Sequence, residues 1–92
     1  SQSLFPVKEA KITLYPNPAT EVAILSVTST TDQEVTLMLE DLSGKVMCSF
    51  PVQIVKGTNE VSVDLKNVIS GTYLIYIIEM QGIASKKIVV AH

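Results

Sequence analysis

Residues with chemistry to offer are few in this chain, and they stand far apart. His92 is the only histidine and the last residue. General acid–base work requires an imidazole held within hydrogen-bond reach of its partner, whereas a terminal residue is expected to fray. Cys48 is the only cysteine. It sits in Val46-Met47-Cys48-Ser49-Phe50, where strand alternation places Val46, Cys48 and Phe50 on one face. That setting describes a small buried hydrophobe; a reactive thiol needs an accessible, electropositive one. A Cys48–His92 dyad would have to join a strand thiol to the chain end, and a cysteine hydrolase built on it would lose function in Cys48→Ala.

The carboxylates Glu40 and Asp41 precede a glycine at 44, but Asp-x-x-Gly lacks the alternating oxygen ligands of a calcium loop. Asp41 is read as a turn cap. Gly71 and Gly82 are isolated, so there is no phosphate-cradling glycine loop. Lys86-Lys87 has the character of a solvated device that keeps an edge strand from aggregating. No catalytic residue, metal set or cofactor site is expected, and the chain is not expected to be an enzyme.

The composition narrows the partners. All seven basic residues are lysine, against nine acidic ones, for a formal charge of −2. Without arginine there is no bidentate phosphate recognition, and without tryptophan or a lysine stripe nucleic-acid binding is not expected. An apolar fraction of 47% suits a globular domain. Ninety-two residues make one domain, near the lower limit for folding without staples. A single cysteine excludes an internal disulfide but leaves the compartment open. Ser1-Gln2-Ser3-Leu4-Phe5 lacks the basic start and apolar run of a signal peptide, so the domain is expected either to come from a longer chain or to be cytoplasmic.

The elements that must position these residues read as strands. The run Tyr73-Leu74-Ile75-Tyr76-Ile77-Ile78 is apolar at every position, too short for a globular helix and far short of the roughly 20 residues of a membrane span. Both of its faces would bury, which predicts a central strand covered on both sides. Residues 1–9 read as a linker, with the domain over 10–92. A first strand over 11–15 is stopped by Tyr15-Pro16-Asn17-Pro18, where two prolines fix φ and remove two donors. A stiff crossing rather than a hairpin is expected there, tied down by the Asn17 side chain. The second strand, from 21 to 28, alternates imperfectly: Val22 and Ile24 fall on one face, Leu25 and Val27 on the other. Either a bulge near Ile24-Leu25 or burial on both faces would account for it.

Strand three alternates cleanly, with Val35, Leu37 and Leu39 inward. Asp41 to Lys45 is a hairpin signal, with Gly44 supplying positive φ. Strand four reaches Val55 through Pro51, which confines it to an edge or kinks it. Lys56-Gly57-Thr58-Asn59 reads as the next hairpin turn, followed by Val61, Val63 and Leu65 inward. Residues 66–71 read as a crossing between sheets, with one helical turn and Val68 or Ile69 plugging the end. Gln81-Gly82 turns the chain into a seventh strand over 83–91, expected at a sheet edge. Seven short strands with regular turn signals predict an all-β, immunoglobulin-like antiparallel sandwich. Its core is expected on Ile24, Leu37, Leu39, Val61, Val63, Tyr73, Ile75 and Ile77.

Four spaced elements resemble one family. They are Leu14-Tyr15-Pro16-Asn17-Pro18-Ala19-Thr20, Asp41 to Lys45, Gly57-Thr58-Asn59 running into Val61 and Val63, and Gly71-Thr72-Tyr73 followed by Lys86-Lys87-Ile88-Val89-Val90. In order and spacing they are similar to the C-terminal sorting domain of the type IX secretion system, the Por secretion tail, over residues 11–91. The chain departs from many members in having Glu21 where they carry aspartate, and Ala91-His92 at its end.

The resemblance implies a seven-stranded immunoglobulin-like sandwich at the end of a larger exported protein of a Gram-negative bacterium. It implies an N-terminal passenger that passes through the periplasm, shuttle proteins and an outer-membrane translocon that read the tail, and delivery to the cell surface or medium. A surface sortase of the cysteine-protease type then cuts between passenger and tail and usually joins the passenger to an anionic lipopolysaccharide. Lys86, Lys87, Ile88, Val89 and Val90 are the implied recognition element; Tyr15, Pro16, Asn17, Pro18, Asp41, Gly44, Gly57, Asn59, Gly71 and Tyr73 are the family motif, expected to serve structure. The competing reading is a non-catalytic accessory sandwich, a carbohydrate-binding or adhesion module. Sugar binding would want exposed aromatic platforms, and this chain has no tryptophan.

Overall fold

A computed structural model describes residues 12–80 and 82–92. Within them the chain forms β1 (Ile12–Tyr15), β2 (Val22–Ser29), β3 (Gln33–Asp41), β4 (Val46–Ile54), β5 (Gly57–Asp64), β6 (Gly71–Glu79) and β7 (Gly82–Val90). One sheet runs β1-β2-β5 and the other β4-β3-β6-β7, and every ladder is antiparallel. The all-β immunoglobulin-like sandwich expected from the strand count is the fold observed. In an immunoglobulin constant domain the fourth strand joins the sheet of the first, second and fifth; here β4 stays beside β3 through a tight hairpin. The linker expected over 1–9 lies outside the described residues.

Alternation explains the packing. Val35, Leu37 and Leu39 of β3 and Tyr73, Ile75 and Ile77 of β6 point between the sheets and are buried. Ile12, Leu25, Val27 and Val63 meet them from the opposite layer, with Leu65, Ile88 and Val90 at the ends. β6 is an inner strand, paired with β3 on one side and β7 on the other. Its second face differs from expectation: Leu74, Tyr76 and Ile78 are only half-buried. Among the described residues the seven strands form two layers, and none of them covers the outer face of β6.

The imperfect alternation of β2 resolves without a bulge, since its register with β1 and β5 runs unbroken from Val22 to Ser29. Ala23, Leu25 and Val27 face inward, and Ile24 turns outward opposite Tyr15 and Ser62. The small side chain at 23 is the one that fits beneath the opposite sheet, so Ile24 is not a core residue. Val61 faces inward opposite Leu25 but is half-buried, because β5 is an edge strand. The ladder irregularity lies instead between β3 and β4, where the register shifts past Met47. Two residues of β4 there oppose one of β3, so Val46 is exposed instead of sharing the inner face of Cys48 and Phe50.

Three connections also differ from expectation. The proline-rich segment after β1 joins two strands that pair antiparallel, so it is a wide hairpin loop. Lys56-Gly57 is no hairpin turn: β4 and β5 lie in different sheets, and the chain arches from one to the other. The segment after β5 does cross between sheets, as a single turn closed by Val68 N–H on Leu65 O at 3.1 Å, without a helix. Val68 plugs the core there, whereas Ile69 is exposed.

Candidate recognition face

β7 forms an edge of the four-stranded sheet, as the sequence suggested. Because its side chains alternate, Lys86 and Lys87 leave on opposite faces: Lys86 pairs with inward-facing Ile75, and Lys87 with outward-facing Leu74. Both lysines are exposed, whereas Ile88 and Val90 are core residues and Val89 is half-buried. Of the five candidate recognition residues, the two lysines therefore present side chains, and the three apolar ones hold the strand in place. Lys86 occupies the inner-face position of an open edge, where its charge disfavours pairing with a second copy of the same edge.

The proline-rich segment positions this strand. Asn17 does not tie down its own bend; it reaches 70 residues along the chain to β7. Its side-chain oxygen accepts from Val89 N–H at 3.0 Å, and its amide nitrogen donates to Lys87 O at 3.3 Å. Two residues on, Ala19 is fully buried and adds a parallel bridge: its N–H donates to Val89 O and its carbonyl accepts from Ala91 N–H, each at 2.8 Å. The peptide bonds before Pro16 and Pro18 are both cis. Prolines bring no donors of their own, so the polar contacts of this loop with β7 come from Asn17 and Ala19. Tyr15 anchors the start of the loop, donating its hydroxyl to Glu60 of β5 at 2.7 Å. That acceptor raises the Tyr15 phenol above its ordinary value, with burial and the Glu60 charge adding to the effect.

The remaining motif residues hold corners. Asp41 Oδ1 accepts from Ser43 N–H, Ser43 Oγ and Lys45 N–H at 2.7–2.9 Å, and Gly44 has φ +96°. The Ser43 hydroxyl, the Lys45 and Ser43 amides and the Lys45 charge together hold the Asp41 carboxyl below its ordinary value. Asn59 fastens the arch between the sheets: its oxygen accepts from Val55 N–H, and its amide reaches Val55 O, Gly57 O and, across the sheet, Val27 O. Gly57, at φ +108°, makes the bend that allows this. Near the start of β6, Tyr73 donates its hydroxyl back to Ile69 O, the tyrosine corner of immunoglobulin-like sandwiches. Gly71 lies against that ring, 3.7 Å from it at the position a Cβ would take.

The chain end is tied rather than frayed. His92 N–H donates to Ser70 Oγ at 3.0 Å, and its ring Nε2 lies 2.6 Å from Val68 O. Cys48 is half-buried, far in register from His92, and burial raises its thiol pKa. The two are not brought together. Sequence reasoning missed the roles of Ala19 and His92, because an alanine and a terminal histidine carry no pattern that points to a distant strand.

The sequence model of the family described as "Secretion system C-terminal sorting domain" matches residues 13–91. The chain belongs to this family. Domains of this family are C-terminal sorting signals of the type IX secretion system. The family is not catalytic. Among solved structures, the sorting domain is similar to dimeric latent PorU from Porphyromonas gingivalis, with a TM-score of 0.67 and 24% identity. The alignment covers 87% of this chain but 9% of that one, and at this identity the likeness shows the fold alone. A β-glucosidase from Listeria innocua in complex with glucose aligns at a TM-score of 0.48 and 11% identity, over 91% of this chain and 16% of that one. No curated protein matches the sorting domain.

Proposed function

We propose that residues 10–92 act as a non-catalytic C-terminal signal read through β7 by the shuttle proteins and translocon of the type IX system. The passenger lies N-terminal to the domain, crosses the periplasm with it, and passes the outer membrane because the signal is bound. A surface sortase then cuts in the lead-in, around or before Ser1 to Val7, a segment outside the described residues; a protease needs an extended stretch that a folded strand cannot offer. Lys86 and Lys87 make the side-chain contacts of recognition, while Ile88, Val89 and Val90 fix the strand that bears them. Neither a cofactor nor nucleic acid takes part.

The observation that carries the reading is the family match over nearly all of the described chain. It is supported by the convergence of the first motif on β7 through Asn17 and Ala19. The test fuses residues 1–92 to a neutral reporter in a type IX-competent cell. Export of the fusion is expected, with loss of export in Lys86→Ala/Lys87→Ala. Exposed positions of this kind change stability by only about 0.5 kcal/mol or less, so the variant stays folded. A folded double variant exported normally would reduce the lysines to edge protection. Mass spectrometry of the released tail is expected to place its new N-terminus before Leu14.

A further inference from the structure

β7 has two halves. In an antiparallel pair, alternate residues turn their backbone groups toward and away from the partner strand. Val89 and Ala91 use theirs on Asn17 and Ala19, so the residues facing away from β6 are 83, 85, 87, 89 and 91. Among the described residues, Asn17 and Ala19 occupy Lys87 O, Val89 N–H and O, and Ala91 N–H. The amides of Ile83, Ser85 and Lys87 and the carbonyls of Ile83 and Ser85 face away from β6 on the same edge, with no backbone partner among the described residues.

The other sheet edges are blunted. β4 carries Pro51 and the register shift past Met47, both of which discourage a further strand. β1 has four residues. β5 bears Glu60 and Asp64, with the Asn59 amide folded over its entry. β7 is paired without a shift from Gly82 to Val90 and has no proline, so its open half is straight and regular.

The flanking side chains select what fits there. Ile83 and Lys87 lie on the outer face of the sheet, opposite Ile78 and Leu74. Ile83 is 60% exposed and continues the half-buried outer row of Met38, Leu74, Tyr76 and Ile78, which no described strand covers. Lys86 lies at the inner face of the same open stretch.

We propose that the open half of the β7 edge, Ile83 to Lys87, is the docking site for an extended acidic segment of a secretion-system protein. The segment adds as a fifth strand, with a carboxylate opposite Lys87 and an apolar side chain beside Ile83. The backbone supplies affinity and the alternating side chains supply choice, as in other strand additions. For the identity of its partner the proposal rests on the sorting-signal reading.

The first test is amide exchange on the wild-type domain. In the free domain the amides of Ile83, Ser85 and Lys87 exchange readily, whereas those of Val89 and Ala91 are protected. A blocked heptapeptide with valine second, glutamate sixth and threonine elsewhere sets the two on one strand face at the spacing of Ile83 and Lys87; at millimolar concentration it slows the first three. Its counterpart with lysine sixth does not. Three amides already protected in the free domain, or left unprotected by the acidic peptide, would overturn the proposal.

The second test is Ser85→Pro in the reporter fusion. The proline removes an N–H that points away from β6, a placement edge strands tolerate, so folding is retained while a further strand cannot pair. Export is expected to fall at least about tenfold, the equivalent of roughly 1.4 kcal/mol of binding, with Ser85→Ala unchanged. A folded Ser85→Pro fusion exported like the wild type also overturns the proposal. If the wild-type fusion is not exported, the sorting reading fails instead; in that case, and if Ser85→Pro misfolds, amide exchange alone decides.

Discussion

Replacing Asn17 with alanine removes both side-chain bonds that bind the proline-rich loop to β7. The Val89 N–H bond is 3.0 Å and the Lys87 O bond 3.3 Å, so the second is near the long end of the useful range. Asn17 is exposed, and water can reach either backbone group once the side chain is gone. The loss is therefore the net worth of two hydrogen bonds, roughly 0.5–1.5 kcal/mol each, with the longer one at the low end. Asn17→Ala is expected to destabilise the domain by about 1–2 kcal/mol. For a chain of this size that lowers Tm by roughly 4–15 °C.

Chemical denaturation measures the free energy, and amide exchange locates it. The Val89 amide loses protection, while the Ala91 amide, bonded to Ala19 O at 2.8 Å, keeps its own. A Val89 amide as protected in Asn17→Ala as in the wild type would refute the idea that Asn17 holds this strand. So would a stability change below about 0.3 kcal/mol, less than the smallest net hydrogen bond.

Three further outcomes follow from the geometry. Ile75→Ala empties a site 1% exposed in the middle of β6 and should cost roughly 2–5 kcal/mol in denaturant melts, with a far-UV spectrum that remains β-type where the variant is folded. For Gly44→Val the added Cβ meets no atom within 4 Å, so the main cost is the backbone strain of φ +96°, about 1–3 kcal/mol; a loss below about 0.5 kcal/mol would contradict that turn geometry. The Asp41 carboxyl is lowered first by the Ser43 hydroxyl and then by the Lys45 and Ser43 contacts. A group whose folded pKa is depressed adds stability above its unfolded pKa, and this is lost as pH falls through the folded one. Acid melts between neutral pH and pH 2 should therefore show a smaller acid loss in Asp41→Asn than in the wild type.

Strand content was legible because it is local. Val35, Leu37, Leu39 and the β6 run bury as their alternation suggests, and Asp41 with Gly44 makes the expected hairpin. What fails to read locally depends on neighbours distant in sequence. Ile24 is the more hydrophobic choice, yet Ala23 is inside, since the space beneath the opposite sheet and the registers with β1 and β5 decide which face of β2 is buried. Glycine 57 and Asn59 signal a turn of any kind; that the turn arches between sheets depends on β5 pairing with β2.

The same division runs through the candidate recognition face. By itself the sequence determined the strand content, an exposed lysine pair on the last strand and the family motif, because each depends on residue type and short-range spacing. The tertiary structure alone decided that Asn17 and Ala19 clamp β7, that His92 is tied to the 68–70 turn, and that Lys86 and Lys87 leave by opposite faces of a half-open edge. Hydrogen bonds spanning some 70 residues, such as Asn17 to Val89, have no periodicity to betray them. They exist because packing two sheets brings a loop and a terminal strand to the same edge, where each satisfies backbone groups the other leaves unpaired.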